Sequence, residues 1–295
     1  MHKERIEFVL QNDSIVGDLY LPDGNGPHAA VMVGGPMTSV KEQVTGVYAR
    51  ALAERGFAAL AIDHRHYGES GGVPRQYEYS VHKIEDLRAA IDWLAKHPAI
   101  DAERIGAVGV CLGTGYIVHA ALAQPLVKAI GGVVGYYRDV EEMRNRDPEG
   151  FQKKIQQGID ARIHYESTGE VLEVPAVATS GDAAMTTAEL LDYYGRRAAV
   201  PNYTNAFALM SREFFLPFDV QSAAARIHIP MRMIHSEKAL SPHWARKFYD
   251  NLAGPKDIHW LEASGQVEFY DQPTLVAQAA DLLAQHLQKH LHAGR

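Results

Sequence analysis

The chain has 295 residues, 46% of them hydrophobic and 22% charged, with a formal charge of −7 and a pI of about 6.1. That is enough apolar material for a full globular core and too little net charge for a disordered chain. No run of Lys or Arg gives the basic footprint of a nucleic-acid binder, and the longest apolar stretches, Ala58–Ile62 and Ala129–Val134, fall far short of the ~20 residues of a membrane span. The single cysteine, Cys111, excludes an intrachain disulfide. Met1–Arg5 leads into strand-like alternation rather than a signal-peptide core, so the expectation is a cytoplasmic protein with no membrane and no nucleic-acid partner.

Ile6–Leu10 and Ile15–Leu21 alternate as an antiparallel hairpin around Asn12-Asp13. Ala29–Val33 is a continuous apolar run ending in Gly34-Gly35-Pro36, the pattern of a strand buried on both faces. Gln43–Glu54 has helical spacing and stops at Gly56, and Phe57–Ile62 is the next strand, closing at Asp63. Ile84–Ala95 predicts a helix, Arg104–Val110 a strand, Leu112–Leu122 a small-residue helix and Val127–Val134 another strand. The rhythm breaks after Tyr137. Residues 138–226 carry helical spacing and more charge, then a crowd of aromatics. It resumes with a strand at Ile229–Ile234, a helix near Trp244–Leu252, a strand at Ile258–Leu261 and a helix from Pro273 to His290. Alternation of this kind predicts an α/β fold: a mostly parallel central sheet flanked by helices. The core would be 1–137 with 227–295, and 138–226 a helical cap insertion.

The sharpest local pattern is Gly109-Val110-Cys111-Leu112-Gly113, between a strand and a helix. It fits a nucleophile elbow with Cys in place of Ser, whose tight turn leaves no room for side chains at the two glycines. Such a turn lifts the thiol to the C-terminal edge of the sheet and to a helix N-terminus. A buried structural Cys is the plain alternative. The glycines at 109, 113 and 115 do not have dinucleotide-binding spacing. His64 and His66 could supply two metal ligands but show no third, so neither cofactor nor metal is expected.

These residues carry a family likeness. The chain resembles the α/β hydrolases, and within them the bacterial branch related to dienelactone hydrolases, which also place Cys in the elbow. The matching segments are Val33-Gly34-Gly35-Pro36 with Val40-Lys41-Glu42-Gln43, Asp63 with His66–Gly72, Arg104-Ile105-Gly106 before Cys111, and Glu268-Phe269-Tyr270-Asp271. The resemblance implies an oxyanion hole made by the backbone N–H of Leu112 and a second donor near Met37 or Thr38. It also implies an acid after the penultimate strand and a His after the last one. The acid position falls on Ala239 or Leu240, and the His position is Gln266. The triad is therefore degenerate: glutamine holds a hydrogen bond but takes no proton near neutral pH. His66, His235, His243 and Glu237 are the candidates for a replacement base or acid.

The function this implies is an α/β-hydrolase-fold enzyme that uses Cys111 on a small, apolar or ring-containing ester, lactone or thioester, by hydrolysis or acyl transfer. One alternative is a non-hydrolytic cyclase, lyase or isomerase that uses the oxyanion hole and Gln266 to orient substrate. Another is a ligand-binding pseudoenzyme. The insertion aromatics Tyr203, Phe207, Phe214 and Phe215 would line the substrate pocket, or glue the cap to the core, or cover a homodimer interface.

Overall fold

In the computed structural model, which describes residues 1–291, β1 (His2–Leu10) and β2 (Asp13–Leu21) form an antiparallel hairpin in which Phe8 pairs with Ile15. There follow β3 (His28–Gly34), α1 (Val44–Ala53), β4 (Ala58–Ile62), α2 (Ser80–Leu94), β5 (Ile100–Val110), α3 (Leu112–Ala121) and β6 (Val127–Val133). After an inserted segment the order resumes with β9 (Met231–His235), α8 (Pro242–Asn251), β10 (Lys256–Trp260), α9 (Glu268–Asp271) and α10 (Pro273–Leu291). The insertion holds α4 (Val140–Arg146), α5 (Pro148–Thr168), β7 (Glu173–Val174), α6 (Ala188–Asp192), β8 (Phe207–Ala208) and α7 (Arg212–Phe215).

One sheet of eight strands runs β1-β2-β4-β3-β5-β6-β9-β10, antiparallel at its first two junctions and parallel from β4 onward. The inner strands are buried along almost their whole length, as parallel strands covered on both faces must be, whereas the edge strand β1 alternates between core and water. Adjacent glycines show the two covered faces. A Cβ on Gly131 would meet Leu283 of α10 at 2.3 Å, and one on Gly132 would meet Thr114 of α3 at 2.9 Å. Helices α1 and α10 therefore cover one face, and α2 and α3 the other.

The predicted rhythm corresponds to these elements in type and order, with shifted ends. Helix α2 begins at Ser80, four residues before Ile84, because its first turn packs the polar Lys83 onto the buried carboxylate of Glu78. Apolar periodicity does not register such a turn. The segment between β6 and β9 holds helices and also the short antiparallel pair β7–β8. Its buried Tyr193, Tyr194, Phe207, Phe215 and Phe218 belong to the same continuous hydrophobic core as the sheet. Among the described residues no helix is long and apolar enough to cross a membrane.

Candidate active site

The C-terminal ends of the parallel strands meet on one edge of the sheet, where ligands bind in open α/β folds. Gly109–Gly113 joins β5 to α3 there, and Cys111 adopts φ 54°, ψ −128°, a conformation unfavourable for a residue with a side chain. Its neighbours impose it. The Cys111 N–H donates to the Val133 carbonyl at 3.1 Å, and its own carbonyl accepts from Thr114 N–H at 3.1 Å and Tyr136 N–H at 3.0 Å. The two glycines permit the close approaches this needs: a Cβ at 109 would lie 2.3 Å from the Thr114 backbone, and one at 113 only 2.4 Å from the carbonyl oxygens of Gly34 and Gly35.

Cys111 is buried, 7% exposed, and lines a cavity of about 290 Å³. The sheet edge contributes Met37, Leu112, Tyr136, Leu240 and Tyr270 to its wall. From the insertion come Met143, Lys154, Leu190, Tyr194 and Phe215. Burial pushes the Cys111 thiol above its ordinary pKa, although hydrogen bonds from Tyr270, the Leu112 N–H and Gln266 oppose that. Among the described residues no His, Asp or Glu lines the cavity.

Gln266, at the position expected for His, is 1% exposed and fully engaged. Its Oε1 accepts from the Leu240 N–H at 3.1 Å, while its Nε2 donates to the Val134 carbonyl at 2.8 Å and to the Tyr270 hydroxyl at 3.3 Å. Of the two residues read as the acid position, Leu240 is the one Gln266 reaches. Gln266 does not itself line the cavity: its amide acts on the Cys111 thiol and holds Tyr270, whose hydroxyl reaches Cys111 as well. Burial raises the Tyr270 phenol well above its ordinary range, so it stays a neutral donor.

The second oxyanion position divides. Met37 lines the cavity. The Thr38 N–H instead donates to Glu78 Oε2 at 2.9 Å, so Thr38 is corrected from a donor toward substrate to an anchor of its loop. Glu78 is fully buried and also accepts from the hydroxyls of Tyr67 at 2.7 Å and Tyr116 at 2.6 Å, with Lys83 Nζ at 3.0 Å.

None of the replacement bases faces the cavity. His66 has Nδ1 against the Pro74 carbonyl at 2.9 Å and Nε2 against His82 at 2.8 Å, and burial, then His82, lowers its pKa to about 4. His235 is buried between the carbonyls of Ser236 at 3.1 Å and Gly135 at 3.2 Å. His243 is exposed beside Glu142, and Glu237 is exposed in an ion pair with Arg246. Their sequence positions put them at or near the right edge of the sheet, but their side chains point elsewhere.

Of the four insertion aromatics expected to line the cavity, Phe215 does, and Tyr203, Phe207 and Phe214 do not. Tyr203 stacks on Tyr194, Phe207 packs edge-on to Phe215, and Phe214 lies 39% exposed against Tyr79. Tyr203 and Phe207 thus pack against other aromatics of the insertion.

The segment from Lys41 to Gly72 is occupied by structure rather than chemistry. Lys41 Nζ sits among Glu42 at 2.7 Å, Asp63 at 2.9 Å and Glu69 at 2.5 Å, so an ammonium already fills the one carboxylate cluster among the described residues that has metal-like spacing. His64 contacts Asp86 and His66 contacts His82, without a shared focus.

Sequence reasoning missed Tyr270, Tyr194, Glu78 and Arg138. Tyr270 carried a signal, since it follows Gln266 by four residues, the spacing that puts two side chains on one helical face. The others are polar or aromatic groups buried where a pattern reader expects apolar core.

The family description Esterase FrsA-like matches residues 1–141. The uncharacterized protein YcjY of Escherichia coli is 30% identical over 99% of this chain and all of its own length. Polyketide transferase claH of Penicillium crustosum is 30% identical over 90% of each chain. The crystal structure of the α/β hydrolase GrgF from Penicillium sp. sh18 superposes with a TM-score of 0.86 over 99% of this chain and 100% of that one, at 19% identity, a likeness of fold. With the sheet order, the elbow and a full-length relative in agreement, the chain belongs to the α/β-hydrolase family of enzymes.

Proposed function

We propose that the enzyme is a thiol-dependent acyl transferase: Cys111 takes an acyl group from an ester or thioester and passes it to an acceptor other than bulk water. The observation that carries this reading is a cysteine at the elbow of a cavity lined, among the described residues, by no His, Asp or Glu. A thiol can attack without a dedicated base, because some thiolate exists near neutral pH. A water cannot attack a thioester efficiently without one.

In the first half-reaction the Sγ–C bond forms, the bond from carbonyl carbon to the leaving oxygen or sulfur breaks, and the thiol proton leaves on the departing group. In the second, the acceptor attacks the thioester carbonyl and its proton returns to the Cys111 sulfur. The N–H groups of Leu112 and Met37 would hold the oxyanion, a role worth about 3–4 kcal/mol in related sites. Tyr270, held by Gln266 at 3.3 Å, would donate to the sulfur as it gains or regains charge. The insertion acts here as a cap whose apolar wall keeps water off the thioester. Identity of 30% to a polyketide transferase along 90% of the chain fits this reading. The cyclase or lyase alternative leaned on Gln266 touching substrate, and that amide is committed internally.

Intact-mass spectrometry after mixing with activated esters and thioesters tests the proposal. A stoichiometric acyl adduct is expected on Cys111 that persists in water, disappears when a thiol or amine acceptor is added, and is absent in Cys111→Ala. Rapid Cys111-dependent ester hydrolysis without an accumulating adduct would replace transfer by hydrolysis. Unchanged turnover in Cys111→Ala would remove the covalent reading altogether.

A further inference from the structure

Arg138 follows β6 and lines the same cavity as Cys111, yet it is only 1% exposed. Its Nη1 donates to the Phe215 carbonyl at 2.7 Å and its Nη2 to the Leu216 carbonyl at 2.9 Å, with Met143 Sδ at 3.8 Å. The Phe215 ring lies 4.4 Å from the guanidinium carbon. Its Nε–H has no acceptor among the described residues. Among the described residues no carboxylate pairs with this guanidinium. Asp219 feels its field, but the two Asp219 oxygens accept backbone N–H groups of Val140 at 3.1 Å and Ser222 at 2.7 Å. Glu78, the other nearby acid, is held by Lys83, Tyr67 and Tyr116.

A desolvated cation without a counter-ion is unfavourable unless something supplies one. The rest of the cavity points the same way. Among the described residues Lys154, from α5, lines it without forming an ion pair and no acidic side chain lines it, although the chain as a whole has a formal charge of −7. The same lining includes the apolar Met143, Leu190, Phe215 and Leu216, beside Thr186 and Thr187.

We propose that the acyl donor carries a carboxylate, bound by Arg138 while the reacting carbonyl lies against Cys111, with Lys154 adding charge at the cavity wall and a hydrocarbon spacer lying along the apolar side chains. The substrate class is thus a half-ester or half-thioester of a dicarboxylic acid, an assignment that rests on the acyl-transfer reading of Cys111. Two carbonyl acceptors fix the guanidinium in place, and its buried Nε is the one nitrogen of the group left without a partner among the described residues.

The anion site is read directly from the Arg138 Nε–H resonance in a nitrogen-15 spectrum, assigned by its loss in Arg138→Lys. Titration with glutarate or adipate is expected to move it, and the corresponding diamides to leave it in place. No response to either dicarboxylate, or an equal response to the diamides, overturns the proposal. A response to inorganic phosphate at lower concentration than to the dicarboxylates overturns the carboxylate assignment.

The substrate class is read from acylation of Cys111 by 4-nitrophenyl half-esters of succinate, glutarate and adipate, against the neutral butanoate, pentanoate and hexanoate esters. Each rate is divided by that ester's rate with free cysteine. At the best chain length the half-ester is expected to lead by about tenfold or more, as a charge-assisted hydrogen bond allows. The lead should vanish in Arg138→Gln and shrink in Lys154→Met, an exposed change that leaves the core intact and so keeps the test open if the first variant misfolds. A neutral ester that acylates as well as every half-ester overturns the substrate class and leaves the thiol chemistry standing. Failure of both series to acylate overturns the thiol chemistry, and the Nε–H titration then still decides the anion site.

Discussion

The Glu78 carboxylate accepts the backbone N–H of Thr38 at 2.9 Å, tying the loop after β3 to a fully buried ion pair with Lys83. Burial by itself would raise the Glu78 pKa, but Lys83, the Tyr116 hydroxyl, the Thr38 N–H and the Tyr67 hydroxyl together hold it below the ordinary carboxylate value. Because the folded value is the lower one, the stabilisation is present above the unfolded-state pKa and fades as pH falls through the folded pKa. Glu78→Gln leaves Lys83 buried beside a neutral amide, and removing one partner of such a pair costs about 3–5 kcal/mol. Urea denaturation at neutral pH should show that loss, and Glu78→Gln with Lys83→Met should recover a large part of it. Full stability in the single variant would mean that the pair contributes nothing net.

A second relationship joins Tyr270 to the thiol. With Gln266 Nε2 donating to its oxygen, the Tyr270 hydroxyl is free to donate to Cys111 and so favours the thiolate. Tyr270→Phe removes that donor and little volume. A hydrogen bond worth about 0.5–1.5 kcal/mol corresponds to a roughly 2- to 12-fold slower alkylation of Cys111 at fixed pH. The pH profile should move upward by the same factor. A rate unchanged across the whole profile would place the Tyr270 hydroxyl outside the reacting group's reach.

The strands were readable because β3 and β4 are apolar runs closed by glycine or by Asp63, and such runs have few other uses in a chain with no membrane-length segment. The elbow was readable because its glycines answer to backbone contacts that no other residue permits. What stayed hidden depends on direction. Phe214 and Phe215 are neighbours in sequence, yet one faces water and the other the cavity. His66 and His235 have places in the chain that suit a base, while their rings turn to carbonyls and to His82. Arg138, Glu78 and Lys83 are charged residues inside the core, where periodicity expects none. Groups that break the binary pattern in this way tend to lie at functional or specially held positions.

Burial gives Cys111 a pH dependence of its own. Because its thiol pKa is raised, first by desolvation, its thiolate fraction at pH 7 lies below that of a free cysteine. Alkylation by iodoacetamide should therefore be slower than for glutathione at neutral pH and rise about tenfold per pH unit past the point where glutathione levels off. The linkage has a definite sign. Between the unfolded and folded pKa values the native state holds the proton that the unfolded state has lost, so stability falls as pH rises through that window. Cys111→Ser should remove this slope. An alkylation profile that levels off below that of glutathione would show a thiolate stabilised by its donors more than it is opposed by burial.

The missing base can be restored as a test of what its loss does. Gln266 Oε1 accepts from the Leu240 N–H at 3.1 Å, so a ring nitrogen placed at 266 would face the segment that carries the family's acid, and its other nitrogen would face the space that Tyr270 and Cys111 share. Gln266→His with Leu240→Asp, and separately with Ala239→Asp, should convert a persistent acyl adduct into turnover with water. Removing a catalytic base from a related hydrolase costs on the order of 10⁴–10⁶ in turnover, so even a poorly aligned His should raise deacylation by about 10². Gln266→His alone should do less, because nothing would fix the ring's tautomer. Gln266→Leu serves as the control: it strands the Leu240 N–H and the Val134 carbonyl, with a loss of about 1–3 kcal/mol for each buried group left without a partner, and restores no hydrolysis. If the double variants fold as well as the parent and deacylate no faster, the slow step lies in access of water beneath the insertion rather than in the absent base.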